Sequence, residues 1–156
     1  MDLKFTIRPA AESEAEADWC VRLMAGNDPW LRYGYSPERC RGVLNWPGRS
    51  LHVAVAEENL GFILLHPRGF LGSPYIAIVA VAEEFRGKGI GSALLKSAEQ
   101  TFSEARHIYL CVSSFNLRAM QLYQRHGYRK AGELEDFLAD GFSEFLMCKR
   151  LSQKNT

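Results

Sequence analysis

The stretch of sequence that decides the fold lies at residues 76–92 and reads IAIVAVAEEFRGKGIGS. Its first six residues are apolar, as expected of a buried strand, and its end opens a run that has the composition of a helix. Between them, three glycines at alternate positions of 87–91 let backbone N–H groups approach a ligand that side chains would keep away. The first N–H groups of a helix lack internal partners and carry partial positive charge from the helix dipole. The stretch therefore predicts a strand, a phosphate-binding loop flanked by the charges of Arg86 and Lys88, and a helix.

The composition is typical of one soluble globular domain. The chain has 156 residues, of which 47% are hydrophobic and 24% are charged, and its net charge of +1 argues against a nucleic-acid partner. No apolar run is long enough to cross a bilayer, and the first residues lack the pattern of a signal peptide. We therefore predict a cytoplasmic protein with a single domain at residues 1–151 and a frayed tail at 152–156.

The cysteines and histidines give no sign of a disulfide framework or a metal site. The four cysteines are scattered without a Cys-x-x-Cys pair, and the four histidines show no metal-ligand spacing. We expect four reduced thiols and no bound metal.

Hydrophobic periodicity and turn residues predict seven strands and four helices in the order β-α-α-β-β-β-α-β-α-β-β. The predicted strands are 3–8, 51–56, 60–66, 76–81, 108–112, 132–138 and 145–151, and the predicted helices are 10–24, 37–44, 91–102 and 116–126. Hairpins dominate the middle and the end, so the sheet should be mixed and largely antiparallel, with six to seven strands. With helices on both faces, the fold class is α+β in three layers.

Two common nucleotide-binding fingerprints do not fit the glycine loop. The dinucleotide fingerprint Gly-x-Gly-x-x-Gly needs a wider spacing than Gly87, Gly89 and Gly91 provide. A Walker loop needs a lysine followed by serine or threonine, whereas Lys88 is followed by glycine. A tight turn without a ligand is the alternative, but three glycines carry an entropy cost that a plain turn does not require. Phosphate binding is the favoured interpretation.

Two motifs in the right order resemble those of the GNAT superfamily of acyl-CoA-dependent N-acyltransferases. RGKGIG at 86–91, after a strand that ends with residues 79–81, resembles the signature Arg/Gln-x-x-Gly-x-Gly/Ala. NLRAMQLYQRHGY at 116–128 is similar to the helix Asn-x-x-Ala-x-x-x-Tyr-x-x-x-Gly-Phe/Tyr, and IRPA at 7–10 is similar to the usual first strand. The resemblance covers nearly the whole domain and implies the GNAT fold with acetyl-CoA as the acyl donor.

The resemblance also implies how coenzyme A would be held. Its pyrophosphate would lie on the backbone amides of 87–92, and its peptide-like pantetheine arm would lie along the strand at 79–81. A bulge or splay near Val81 would free an N–H group that polarises the thioester carbonyl. The residues assigned to coenzyme A are Val79, Ala80, Val81, Arg86, Gly87, Lys88, Gly89, Ile90, Gly91, Ser92 and Asn116.

Two residues of the second motif would act near the thioester. The resemblance implies that Tyr123 is the general acid that reprotonates the leaving thiolate, since free phenol and thiol pKa values differ by about two units or less. The alternative is that Tyr123 is a core aromatic residue of its helix. Asn116 would hydrogen-bond the cofactor arm, cap the helix that it begins, or do both.

The general base is not identified by the resemblance. Two branches of the family use a glutamate, and the corresponding positions are Cys111 and Ser73 here. Cys111 is not expected to act as a nucleophile, because a thiol within an apolar strand packs as a small hydrophobic group. The remaining candidates for the base are Asp28, Glu84, Asp136 and a water molecule held by backbone groups.

The acceptor site is expected in the aromatic segment 28–35 and in the turn at 136–142. Carboxylates there would attract a cationic amine, and aromatic rings would contact its carbon skeleton. The acceptor residues assigned on this basis are Asp28, Trp30, Tyr33 and Asp136. The alternative is a loop that Trp30 and Tyr33 pin to the core.

Two functions from different classes follow from the sequence. The first is direct transfer of an acetyl group to a primary amine, on a protein N-terminus, a lysine or a small molecule, without a covalent enzyme intermediate. The second is an acyl-CoA-binding module in which catalysis is weak or lost. The frequent exchange of C-terminal strands in the family adds the expectation of a homodimer.

Overall fold

The structure is a computed structural model that describes residues 2–152, within which the chain forms seven strands, four helices and one short 3-10 helix. The strands are β1 (Thr6–Pro9), β2 (Ser50–Val55), β3 (Asn59–Phe70), β4 (Ser73–Val81), β5 (His107–Ser113), β6 (Arg129–Leu134) and β7 (Glu144–Arg150). The helices are α1 (Glu14–Ala25), α2 (Pro37–Leu44), α3 (Ile90–Thr101) and α4 (Leu117–Arg125), and the 3-10 helix spans Glu83–Phe85. The tail predicted at 152–156 falls outside the described residues, apart from Ser152.

The strands form one sheet in the order β1-β2-β3-β4-β5-β7-β6. Every neighbouring pair is antiparallel except β4 and β5, which run parallel. Alternate residues of β3 point to opposite faces of the sheet. Phe62 packs in the hydrophobic core formed with α1 and α2, and Ile63 packs in the core formed with α3. The predicted three-layer, largely antiparallel architecture is confirmed.

Local capping explains where three of the helices begin or end. Ser13 accepts a hydrogen bond from the backbone of Glu16 at 3.3 Å and starts α1, four residues later than predicted. Ser36 caps α2 in the same way, with Pro37 at the first helical position as predicted. Gly127 follows α4 at φ +86°, the left-handed conformation expected of glycine after a helix.

The strand boundaries differ most from the predictions in the β3–β4 hairpin and in β6. The predicted loop around 67–74 is instead a continuation of the β3–β4 hairpin, which turns at Leu71 and Gly72. Pro67 is tolerated because the strand register is interrupted between His66 and Phe70. The strand predicted at 132–138 ends at residue 134, because Asp136 has φ +51° and its carboxylate accepts the Gly141 N–H at 2.7 Å.

The parallel pair β4–β5 separates along its length. Only Tyr75 and Ile76 of β4 pair with β5. On the β3 side, Leu65 is opposite Ile76 and Leu64 is opposite Ile78, so Ala77 is an extra residue and forms a bulge. The bulge and the separation lie at Ile76–Ala77, earlier on the strand than the position near Val81 that the sequence predicted. Beyond Ile76, the edge of β4 that faces β5 has no strand partner among residues 2–152.

At Gly61 the backbones of β3 and β4 approach closely, and a side chain there should destabilise the sheet. A Cβ atom on Gly61 would lie 2.6 Å from the carbonyl oxygen of Ala80 and 3.2 Å from Cα of Val81. We expect Gly61→Ala to lower the free energy of unfolding by about 1–3 kcal/mol, measured by urea denaturation. The control is Gly42→Ala, because an added Cβ there meets nothing within 4 Å and alanine favours the helix. Wild-type stability in Gly61→Ala would contradict this account of the strand contact.

Candidate active site

A cavity of about 610 Å³ lies beside the unpaired edge of β4. Its walls come from the end of α1 and the loop after it, the end of β4, the glycine loop with the start of α3, and one face of α4. Its volume falls within the range of about 300–1,000 Å³ that is usual for small-molecule sites. The cavity is therefore large enough for a ligand the size of a cofactor.

The glycine loop is built for close approach of a ligand to the backbone. Gly87 and Gly89 have φ values of +75° and +82°, and a Cβ atom on either would meet nothing within 4 Å. Gly89 is the N-cap of α3 and no side chain caps that helix, so its first N–H groups face the cavity region without an internal partner. An open cradle of backbone donors at a helix N-terminus fits a pyrophosphate.

Gly91 has a different role from the two glycines before it. A Cβ atom on Gly91 would lie 3.1 Å from Cδ2 of Leu122 on α4. The absence of a side chain there allows α3 and α4 to pack closely at the edge of the cavity.

The two cations of the loop are used differently. The Arg86 guanidinium donates to Oδ1 of Asn27 at 2.8 Å and to the carbonyl of Val81 at 3.3 Å. It therefore joins the end of α1 to the end of β4. Lys88 does not line the cavity, and its ammonium lies 5.4 Å from the centroid of the Phe85 ring.

All the residues assigned to coenzyme A except Lys88 line this one cavity. The members are Val79, Ala80, Val81, Arg86, Gly87, Gly89, Ile90, Gly91, Ser92 and Asn116. Asn116 also accepts a hydrogen bond from the Ala119 N–H at 3.2 Å, so it caps α4 while its side chain borders the cavity. The structure therefore brings these residues together, and their role in binding coenzyme A stays a prediction.

Tyr123 of α4 also lines the cavity. Its side chain is 7% exposed, and its ring packs edge-on against Tyr128 at 6.1 Å between centroids. Burial raises the pKa of Tyr123 above the ordinary value of a phenol. The hydroxyl therefore carries its proton at neutral pH and is available as a proton donor.

The four residues assigned to the acceptor do not all meet. Asp28 and Trp30 line the cavity, whereas Tyr33 and Asp136 do not. The Asp28 carboxylate lies 3.3 Å from the Arg32 guanidinium, an exposed pair that contributes little to stability. Asp136 closes its own turn, and Glu84, the other candidate base, is exposed and outside the cavity lining.

The sequence did not reveal a buried carboxylate at the start of β7. Glu144 is 3% exposed, and its Oε1 accepts hydrogen bonds from the hydroxyls of Ser113 at 2.7 Å and Tyr33 at 2.9 Å. Phe115 and Phe142 pack edge-on against the Tyr33 ring. The network ties the loop after α1 to β5 and β7, which agrees with the alternative in which Tyr33 pins that loop.

Burial governs the titration of this network. Desolvation raises the pKa of the Glu144 carboxyl and raises the pKa of Tyr33 to about 12. On the neighbouring strand, burial also raises the pKa of the Cys111 thiol, which interacts with the Tyr75 hydroxyl. A protonated thiol is a poor nucleophile.

Residues 2–152 contain neither a cluster of side chains suited to a metal ion nor a helix suited to crossing a membrane. No group of three or more His, Cys, Asp or Glu side chains in that range is arranged to hold a metal ion. None of the helices described there combines the length and the apolar character that crossing a bilayer requires.

Comparisons with known proteins agree with this geometry. The model of the acetyltransferase (GNAT) family matches residues 13–128, and the chain belongs to that family. An uncharacterized N-acetyltransferase from Methanocaldococcus jannaschii is 38% identical over 82 residues, which cover 51% of this chain and 53% of that protein. An N-alpha-acetyltransferase from Sulfolobus acidocaldarius is 29% identical over 118 residues, 67% of this chain and 70% of that protein. The match therefore spans about half the length of the first of these relatives.

Solved structures show the same fold. An aminoglycoside 6'-N-acetyltransferase complexed with coenzyme A superposes with a TM-score of 0.79 at 18% identity, covering 97% of this chain and 99% of that one. The GNAT fold that the two sequence motifs implied is confirmed.

The raised pKa of Glu144 predicts a pH-dependent effect of its replacement. Because the folded protein holds this proton more tightly than the unfolded chain, the contribution of Glu144 is favourable at low pH and is lost as the pH rises above about 4. Glu144→Gln keeps an oxygen for the two hydroxyls and carries no charge. We therefore expect its stability relative to wild type to increase between pH 4 and pH 7, measured by urea denaturation.

The control for this comparison is the exposed Glu135→Gln, for which we expect no such trend with pH. A difference between Glu144→Gln and wild type that stays constant with pH would contradict the burial of an ionisable carboxyl in this network.

Proposed function

We propose that this protein transfers an acetyl group from acetyl-CoA directly to a primary amine. The observation that carries the proposal is one cavity that joins the uncapped start of α3, the unpaired edge of β4 and the protonated hydroxyl of Tyr123. The solved relative that holds coenzyme A has the same fold. Acyl transfer requires donor binding, polarisation of the thioester carbonyl and protonation of the leaving group. The start of α3, the edge of β4 and Tyr123 are assigned to these three tasks in that order.

Donor binding rests on backbone groups. Acetyl-CoA supplies an acetyl group activated as a thioester, attached to a peptide-like arm and a pyrophosphate. The N–H groups at the start of α3 bind the pyrophosphate, and the edge of β4 beyond the Ala77 bulge pairs with the arm as an added strand would. An N–H of residues 79–81 then polarises the thioester carbonyl.

Proton transfer to the leaving sulfur is assigned to Tyr123. Its buried hydroxyl remains protonated at neutral pH and lines the same cavity as the β4 edge. The ordinary pKa values of a phenol and a thiol differ by about two units or less, and burial, which raises the pKa of Tyr123, keeps its proton in place until the thiolate forms.

The acceptor amine is assigned to the Asp28 end of the cavity. Among residues 2–152, Asp28 is the acidic residue that lines the cavity, and Trp30 and Leu31 stand beside it as an apolar wall. The carboxylate attracts the ammonium form of the acceptor and accepts its proton, directly or through a water molecule.

An α-amine is the acceptor that this arrangement favours. The pKa of an α-amine lies near 8, whereas that of a lysine is about 10.4, so the α-amine needs less help to lose its proton. The positions of the two family glutamates hold Cys111 and Ser73, which leaves less basic assistance than a lysine would require. The relative from Sulfolobus acidocaldarius that is named an N-alpha-acetyltransferase supports the same choice.

Thiol release from acetyl-CoA tests this function directly. The acceptors are a peptide with a free α-amine, the same peptide with a blocked N-terminus and one lysine, and spermidine. We expect the highest kcat/KM with the free α-amine. Coenzyme A binding without turnover on any amine would support the binding module instead, and a failure to bind coenzyme A would overturn both functions.

Removal of the Tyr123 hydroxyl should slow the chemical step. We expect Tyr123→Phe to lower kcat by about 10²-fold or more, because general acid catalysis is typically worth 10²–10⁴-fold, while the Kd for coenzyme A stays near the wild-type value. The matched control is Tyr128→Phe, a neighbouring buried phenol that lies outside the cavity lining and for which we expect a nearly unchanged kcat. Equal losses in the two variants would exclude the assigned role.

Neutralisation of Asp28 should weaken acceptor use selectively. In Asp28→Asn we expect kcat/KM for the amine to fall by about tenfold or more, with the KM for acetyl-CoA unchanged, because the lost attraction acts on the ammonium. Asp140→Asn, in the turn after β6 and outside the cavity, is the control. An equal loss for both substrates in Asp28→Asn would instead indicate a structural role for the carboxylate.

A further inference from the structure

The cavity has a cationic wall that the proposed reaction does not use. Arg118 and Arg125 of α4 both line it, and they are seven residues apart, with Leu122 between them. Seven residues are about two turns of helix, or about 10 Å, so the two arginines share one face of α4. Neither was assigned a role from the sequence.

Contacts between the helices place this wall beside the phosphate cradle. Cδ2 of Leu122 lies 3.1 Å from the position of a Cβ on Gly91, at the start of α3. One turn further, Nε2 of His126 is 2.9 Å from the hydroxyl of Ser92, in a hydrogen bond between the two elements. The C-terminal half of α4 therefore runs next to the first turn of α3, and Arg125 adjoins the backbone donors assigned to the pyrophosphate.

The two guanidinium groups have no carboxylate partner in the part of the chain that the structure describes. Arg8, Arg32 and Arg41 form ion pairs, whereas neither Arg118 nor Arg125 forms one within residues 2–152. Both side chains are exposed, and both residues line the cavity. Two unpaired cations that face one cavity attract an anionic group of a ligand bound there.

Coenzyme A offers such a group beyond its pyrophosphate. Its ribose carries a 3'-phosphate, a monoester with a charge of about −1.5 to −2 near neutral pH. The N–H groups at the start of α3 are assigned to the pyrophosphate, which leaves the 3'-phosphate without an assigned partner. Arginine is suited to the remaining phosphate, because its planar guanidinium donates two parallel hydrogen bonds to phosphate oxygens.

We propose that Arg118 and Arg125 bind the 3'-phosphate of coenzyme A and make the protein selective for 3'-phosphorylated acyl donors over their 3'-dephospho forms. This inference rests on the proposed function, since it concerns the same donor site. It assigns donor selectivity to α4, whereas the glycine loop binds the part that the two forms share.

Calorimetric titration with coenzyme A and with 3'-dephospho-coenzyme A tests the inference. We expect wild type to bind coenzyme A about tenfold or more tightly than the dephospho form, as is typical of charge-assisted hydrogen bonds. Arg118→Gln and Arg125→Gln should each reduce this ratio, and the double variant should bring it close to one. The affinity for the dephospho form should stay unchanged throughout. The control is Arg68→Gln, an exposed arginine on the β3–β4 hairpin outside the cavity.

The outcomes separate this inference from the function on which it rests. Equal wild-type affinity for the two ligands overturns the 3'-phosphate site and leaves the coenzyme A site standing, and this comparison requires no variant. A wild-type ratio that survives in the double variant also overturns the assignment to these arginines. If wild type binds neither ligand, the proposed function fails together with the inference.

Discussion

The separation of β4 from β5 beyond Ile76 is the constraint on which the rest of the site depends. A fully paired sheet would use every backbone donor of β4 in strand ladders, and no peptide-like ligand could bind to its edge. The bulge at Ala77 occurs at the same point and bends β4 while β3 holds its other edge. The hydrogen bonds that the sheet gives up here become available to a donor molecule.

Tight packing on either side of this opening keeps it in one shape. At Gly61 the backbones of β3 and β4 approach too closely for a side chain, and at Gly91 the first turn of α3 packs directly against Leu122 of α4. The guanidinium of Arg86 joins the end of β4 to Asn27 after α1. The strand edge, the helix N-terminus and the loop after α1 are therefore held together by contacts that leave the space between them open.

The carboxylates of Glu144 and Asp28 differ in burial and in the role assigned to each. Glu144 is buried, its carboxylate accepts hydrogen bonds from two hydroxyls, and burial raises its pKa. It therefore anchors the loop that carries Tyr33. Asp28 lies on the same loop, but it is half-exposed at the cavity, where its carboxylate accepts hydrogen bonds from the backbone N–H and the guanidinium of Arg32. The anchored part of the loop positions the exposed part, and this arrangement keeps the carboxylate proposed as proton acceptor accessible without loss of order.

The sequence by itself determined the order of the elements, the glycine loop and the spacing of Asn116 and Tyr123, because each of these depends on residues that are close along the chain. It also predicted the two-faced sheet, since the alternation of β3 and the apolar faces of the helices are local patterns. Only the tertiary structure decided that the β3–β4 hairpin continues through Pro67 and that β4 bulges at Ala77, because both depend on pairing with another strand. The same holds for Glu144, whose hydroxyl partners lie 31 and 111 residues away, and for the two arginines of α4, which share the cavity only once α4 packs against α3.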